Sequence, residues 1–148
     1  MRAEVPKAMY GGRFQEVNEV VIAEYRATGG NLTNAFVGTP ILLLTHRGAR
    51  SGTAYTSPLA STSAGADYVV IGSMGAAPAD PQWYRNLVAH PDVTIEVGAD
   101  TIAVRARVAE GDERERLFRA QADEIPNFDD YQARTTRQIP VVVLEPQP

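Results

Sequence analysis

The sequence predicts a mainly β protein with inserted helices, an α+β chain whose six strands close or partly close into a barrel. Three observations lead there. Six short apolar segments are separated by turn residues; two pairs of them are spaced as hairpins; and the helical segments interrupt the strands without the regular alternation of a parallel sheet. A length of 148 residues, 44% hydrophobic and 22% charged, suits one domain spanning residues 1–148.

Residues 12–28 place Phe14, Val17, Val20, Val21, Ala23 and Tyr25 among polar positions, the spacing of an amphipathic N-terminal helix, and Gly29 and Gly30 stop it. After a loop containing Asn31, Asn34 and Gly38, the apolar run from Pro40 to His46 reads as a buried strand. The glycine-bracketed turn from Gly48 to Gly52 joins it to a second strand, Ala54 to Ser61, as a hairpin. A third strand covers Asp67 to Ser73. Asp80 and Pro81 have the form of a helix start, a capping side chain before a proline at the first helical position, and His90-Pro91 closes that short helix. Val93 to Val97 and Ile102 to Val108 alternate about Gly98, Ala99 and Asp100, a further hairpin with Arg105 and Arg107 toward water. Gly111 to Ile125 forms a charged helix with Leu117, Phe118 and Ile125 inward. Asn127 to Thr135 adds a turn or two of helix, and Ile139 to Leu144 is the last strand.

Composition excludes several chemistries. With no cysteine there is no disulfide framework, zinc ribbon, Fe–S site or thiol nucleophile. The two histidines, His46 and His90, lack ligand partners at metal-binding spacing, so no metal site is expected. A net charge of −4 argues against a nucleic-acid binder, although thirteen of the fourteen basic residues are Arg, whose planar fork suits an anionic small ligand. Gly72-Ser73-Met74-Gly75 does not meet the Gly-x-Ser-x-Gly pattern of a serine hydrolase. Gly48 to Gly52 lacks the lysine of a P-loop and joins strand to strand. No apolar run approaches the roughly 20 residues of a membrane helix, and Met1 to Lys7 lack a secretory pattern, so cytoplasmic residence is expected.

Three segments remain as candidate binding chemistry. In Arg47-Gly48-Ala49-Arg50-Ser51-Gly52, backbone N–H groups converge beside two guanidinium groups, a geometry for phosphate that is also that of an ordinary hairpin turn with solvated arginines. Ile71 to Pro78, running into Pro81-Gln82-Trp83-Tyr84-Arg85-Asn86-Leu87, brings a strand end and a Gly/Ala-rich loop to a helix N-terminus. On the bland reading, Trp83 and Leu87, four apart, are core packing. Phe128 and Tyr131 share a helical face, as core or as a lid on a planar ligand.

Five strings occur together in order: Pro40 to Gly52, Ser57-Pro58-Leu59, Tyr68 to Ser73, Pro81 to Pro91, and Ile139 to Pro146. In them the chain resembles the deazaflavin-dependent nitroreductase family. The resemblance implies an FMN-binding-like, six-stranded split β-barrel that binds coenzyme F420 and passes hydride from its reduced form to a quinone, nitroaromatic or other conjugated acceptor. It also implies the cofactor contacts. A phosphate-binding turn falls on Ala49, Arg50 and Ser51, and a second segment on Tyr55, Thr56, Ser57, Pro58, Leu59 and Ala60. A strand end at Ile71, Gly72, Ser73 and Met74 follows, then a stretch at Gln82, Trp83, Tyr84, Arg85 and Asn86, and finally Phe128 near the reactive ring. Ala49, Tyr55 and Met74 stand where the family pattern offers cations, and Phe128 replaces a tyrosine. Arg47, Arg50, Arg85 and backbone donors are the available replacements; Ser73 and Tyr131 are the expected catalytic hydroxyls.

The missing cations keep FMN or FAD open as alternative cofactors, and a non-catalytic carrier of a deazaflavin or hydrophobic ligand as an alternative role. The acceptor pocket is expected between the N-terminal helix and the loop from Asn31 to Gly38. Glu16, Glu19 and Glu24 weigh against docking of that helix on an anionic bilayer, leaving weak peripheral association at the inner membrane face as the most that is expected.

Overall fold

Leucine- and valine-rich runs that lack strict alternation need cover on both faces, and a barrel with helices outside provides it. The computed structural model describes residues 14–33, 39–72, 80–125, 132–133 and 138–148. Its six strands are β1 (Ile41–Arg47), β2 (Ala54–Ala64), β3 (Asp67–Ile71), β4 (Asp92–Val97), β5 (Asp100–Val108) and β6 (Val141–Pro146). All pair antiparallel in the closed order β1-β2-β3-β6-β5-β4, with β4 returning to β1. The helices are α1 (Phe14–Thr28), α2 (Gln82–Ala89) and α3 (Gly111–Glu124).

Two cores follow from the pleat. Leu42, Leu44, Val70, Ile95, Val104, Val142 and Leu144 form one cluster, joined by Trp83 and Leu87 of α2. Alternate residues of the same strands, Val69, Ile71, Val141 and Val143, form the other with Leu117, Phe118 and Ile125 at α3. Trp83 and Leu87 are thus core residues, as their four-residue spacing suggests. Arg105 and Arg107 lie on the exposed side of β5, paired with Asp92 and with Glu113 and Glu145.

The elements differ from expectation in a few places. On α1 the buried face is Asn18, Val21 and Tyr25, at i, i+3 and i+7, while Val20 is 63% exposed and Ala23 is also outside it. The strand β2 runs three residues past Ser61, because Thr62, Ser63 and Ala64 pair with Val69, Tyr68 and Asp67 of β3, and the buried Thr62 hydroxyl is satisfied by donating to Gln121 Oε1 of α3 at 3.1 Å. Pro81 is itself the N-cap of α2, with no side-chain cap, so Asp80 does not cap the helix. β6 begins at Val141, after Ile139 and Pro140. Gln132 and Ala133 are helical; the rest of the expected Asn127 to Thr135 turn lies outside the described residues, as does the expected end of β3 at Ser73.

At the end of α1 the chain leaves through Gly29 (φ +67°) and Gly30 (φ +100°), and Gly30 N–H bonds back to Tyr25 C=O at 2.9 Å, a Schellman closure that a side chain at φ > 0 resists. Tyr25, 2% exposed, accepts Gly98 N–H at 2.8 Å and faces the Ile41 and Glu96 carbonyls at 3.1 and 3.3 Å. Arg26 forks onto the Glu96 carboxylate at 3.0 and 2.8 Å. These bonds stitch α1 across the β1 and β4 end of the barrel. Replacing Tyr25 by Phe orphans the Gly98 donor and should lower unfolding free energy by about 1–3 kcal/mol, read from urea denaturation.

Candidate functional site

The β1–β2 hairpin bends through residues 48–53 between paired Arg47 and Ala54. Gly48 N–H donates to Thr53 C=O at 2.8 Å, Gly52 N–H to Gly48 C=O at 2.9 Å, and Thr53 N–H to Ser51 Oγ at 3.1 Å. A Cβ on Gly48 would stand 2.5 Å from Ser51 Oγ, so only glycine permits this inward fold of the serine. Arg47 is tied to Gly52 C=O at 3.3 Å. The Arg50 side chain is exposed, and its guanidinium, like the N–H groups of Arg50 and Ser51, has no partner among the described residues. One cation and two open donors therefore stand together on a rigid bend, a donor set that fits a phosphate.

Behind the bend lies a buried polar chain. Ala49 N–H and Gln82 Nε2 both donate to Asn86 Oδ1, at 3.0 and 2.9 Å. Asn86 Nδ2 lies 2.8 Å from His46 Nδ1, and His46 Nε2 lies 2.9 Å from Ser57 Oγ. Asn86 is fully buried and His46 4% exposed. His46 follows Leu42 and Leu44 at the period of two that lines the barrel, so it closes the barrel mouth with a polar group. Burial pushes its imidazole down to about 4, so it is neutral at physiological pH. Tyr55, 46% exposed, lies with its ring centroid 6.0 Å from that of His46.

The far side is set by β3. Gly72 N–H bonds to Pro140 C=O at 2.9 Å, and a Cβ there would sit 2.8 Å from Pro140 Cγ and 3.4 Å from Pro81 Cδ. The Ile139-Pro140 segment is in turn held by Arg114, 6% exposed, which donates to Ile139 C=O at 2.6 Å and lies over the Phe118 ring at 4.6 Å. Arg85 donates to Asp80 C=O at 2.6 Å and to Gln82 Oε1 at 2.7 Å, so its guanidinium serves the start of its own helix.

Of the residues named from the sequence, Ala49, Ser57, Gln82, Arg85 and Asn86 are joined in one network beside Arg50 and Ser51. Thr56 Oγ1 pairs with Thr45 Oγ1 at 3.1 Å. Pro58 is buried, Leu59, Ala60 and Tyr84 are partly buried against the cores, and Ile71 and Trp83 point into them. Ser73, Met74, Phe128 and Tyr131 lie outside the described residues. Sequence reasoning missed His46, which it weighed only as a metal ligand; its place two residues beyond Leu44 was the available signal.

A cavity of about 560 Å³ opens at the other end of β1, lined by Tyr25, Gly30, Pro40, Ile41, Ser61, Thr62, Ser63, Tyr68, Val97 and Glu124 among others. It is walled on one side by the end of α1; residues 34–38 of the loop expected to border the acceptor lie outside the described residues. Among the described residues no helix is long and apolar enough to cross a membrane.

The sequence profile of the family described as F420H(2)-dependent quinone reductase matches residues 17–146. A Mycobacterium tuberculosis protein named as a candidate F420H(2)-dependent quinone reductase is 42% identical over 108 residues, 73% of this chain and 91% of that protein. A second from the same species, named F420H(2)-dependent quinone reductase, is 37% identical over 126 residues, 82% of this chain and 85% of its own. A solved structure described as an F420-H2 dependent reductase, FDR-A, superposes with a TM-score of 0.67 at 36% identity, covering 72% of this chain and 94% of that one.

The neutral His46 gives a pH test. Between about 4 and the ordinary value of 6.5 the unfolded imidazole binds a proton that the folded one does not, so stability rises with pH across that window and is lost as pH falls through it. The loss should reach at most about 3 kcal/mol at pH 4. Urea unfolding from pH 7 to 4 should therefore be steeper in pH for the wild type than for His46→Gln; equal slopes would contradict a neutral buried imidazole.

Proposed function

This chain belongs to the F420H(2)-dependent quinone reductase family, and from that premise we propose that it oxidises reduced coenzyme F420 by passing hydride to a quinone. The observation that carries the reading is the β1–β2 bend, where the Arg50 guanidinium and the N–H groups of Arg50 and Ser51, without partners among the described residues, form an anion cradle locked from behind by Asn86. These groups would hold the phosphate of F420, and the bound deazaflavin supplies the hydride. The protein's own part is to bind, orient and exclude water. The glycine geometry of the bend fixes the donors before the ligand arrives, which reduces the ordering cost of binding. Ser73 and Tyr131 remain our proposed positions against the reacting groups, whereas Trp83 is packed into the core and supports the site from behind. The relatives' names speak for F420 over FMN, FAD or a carrier role.

For the acceptor we propose the cavity under α1. Pro40, Ile41 and Val97 offer an apolar wall, while Ser61 and Tyr68 offer hydroxyls, the mixture a flat ring with two carbonyl oxygens requires.

Two experiments test this. Arg50→Ala should raise the F420 dissociation constant about tenfold in a fluorescence titration, and unchanged affinity removes the bend from the site. Ser63→Trp, at an exposed position on the cavity rim, should raise the KM for menadione severalfold in steady-state oxidation of reduced F420 while leaving the F420 dissociation constant as it was. An unchanged KM would put the acceptor elsewhere.

A further inference from the structure

Ser57, His46 and Asn86 are strung together as serine oxygen, imidazole and amide, with the same connectivity as a Ser-His-Asp triad. Their polarity is the reverse. Asn86 Oδ1 already accepts two donors, the backbone N–H of Ala49 at 3.0 Å and the Gln82 amide at 2.9 Å, so its orientation is fixed with Nδ2 toward the ring. Nδ2 can only donate, so His46 Nδ1 must accept, and the proton of the neutral imidazole resides on Nε2. Nε2 then donates to Ser57 Oγ, 2.9 Å away. A hydroxyl whose oxygen is engaged by an N–H keeps its own proton for another acceptor. The arrangement cannot take a proton from Ser57, so Ser57 is not a nucleophile here.

We infer that Asn86, acting through His46, fixes Ser57 as a hydrogen-bond donor to an acceptor oxygen of the bound deazaflavin cofactor. Asn86 and His46 are positioning residues, and only Ser57 touches the ligand. The inference rests on the proposed F420 reading of the same site. It goes beyond that reading by giving the direction of each proton and by adding His46, which contacts no ligand. Ser57 is partly exposed, as a ligand contact requires, whereas His46 and Asn86 are sealed behind it.

The test uses Asn86→Asp, which is close to isosteric and still accepts from Ala49 N–H and Gln82, so the bend keeps its anchor. An aspartate cannot donate to Nδ1. Above the pKa of the imidazole it draws the ring proton to Nδ1, leaves Nε2 as an acceptor, and turns the Ser57 proton back onto the ring. At pH 8.5, long-range proton–nitrogen NMR of histidine-labelled protein should show the Nε2–H tautomer of His46 in the wild type and the Nδ1–H tautomer in Asn86→Asp. In the same buffer, both Ser57→Ala and Asn86→Asp should weaken F420 binding about tenfold by fluorescence titration, and the double variant no more than either alone. A weakening that came only from the new carboxylate beside the phosphate donors, and not through Ser57, would add in full to that of Ser57→Ala.

A wild-type Nδ1–H tautomer overturns the inference, as does unchanged F420 affinity in either single variant or full additivity in the double. Failure of the wild type to bind F420 at all overturns the cofactor reading and this inference with it. Binding that neither variant weakens overturns this inference alone.

Discussion

The amide of Asn86 governs how the candidate site is assembled. Its oxygen takes the backbone N–H of Ala49 from the β1–β2 bend, its nitrogen serves the imidazole at the barrel mouth, and its backbone belongs to a helix whose Trp83 and Leu87 are packed into the barrel core. An amide with no exposed surface bears the full desolvation cost of any bond left unmade, so these partners hold the bend in one position relative to α2. Because Ala49 N–H is used in this way, the donors left to a ligand are those of the next two residues, on the outer side of the turn.

A second constraint fixes the opposite edge. Arg114 is a buried cation that spends itself on the Ile139 carbonyl, Gln132, Glu115 and the face of Phe118. Its effect is felt one residue on, where Pro140 closes over Gly72 and leaves no room for a Cβ. The strand end at Gly72 and the helix start at Pro81 are thus held together. Core packing on the outer face of the barrel, in α3, in this way sets the geometry of a site on its other side.

Much of the barrel was legible from local chemistry. Gly98 at φ +60° marks the two-residue hairpin between β4 and β5, and the Gly48 to Gly52 brackets mark the first bend. What was not legible depends on partners distant in sequence. Thr62 looks like loop because Ser61, Thr62 and Ser63 are polar; its backbone pairs with Val69 of β3, and Gln121, 59 residues away, satisfies its buried hydroxyl. Asn86 reads equally well as a ligand contact, until its three bonds to Ala49, Gln82 and His46 show it committed to the protein. On the inference drawn above, the direction of the His46 proton is set by the Asn86 amide of α2, 40 residues away, information that no local pattern contains.

If the bend holds the proposed phosphate, the cations expected but missing at Ala49, Tyr55 and Met74 change how that anion must be held. Arg50 is exposed, and the attraction of one exposed guanidinium is weakened by solvent and screened by salt within about 8–10 Å. Backbone N–H groups in a fixed turn suffer less from both effects, since they approach the anion directly and lose little freedom on binding. Gly48, Ser51 and Asn86 hold that turn in shape without a ligand. A chain that has traded charge for rigidity at this bend would still recognise phosphate, with selectivity drawn from the spacing of its donors rather than from the sum of its charges.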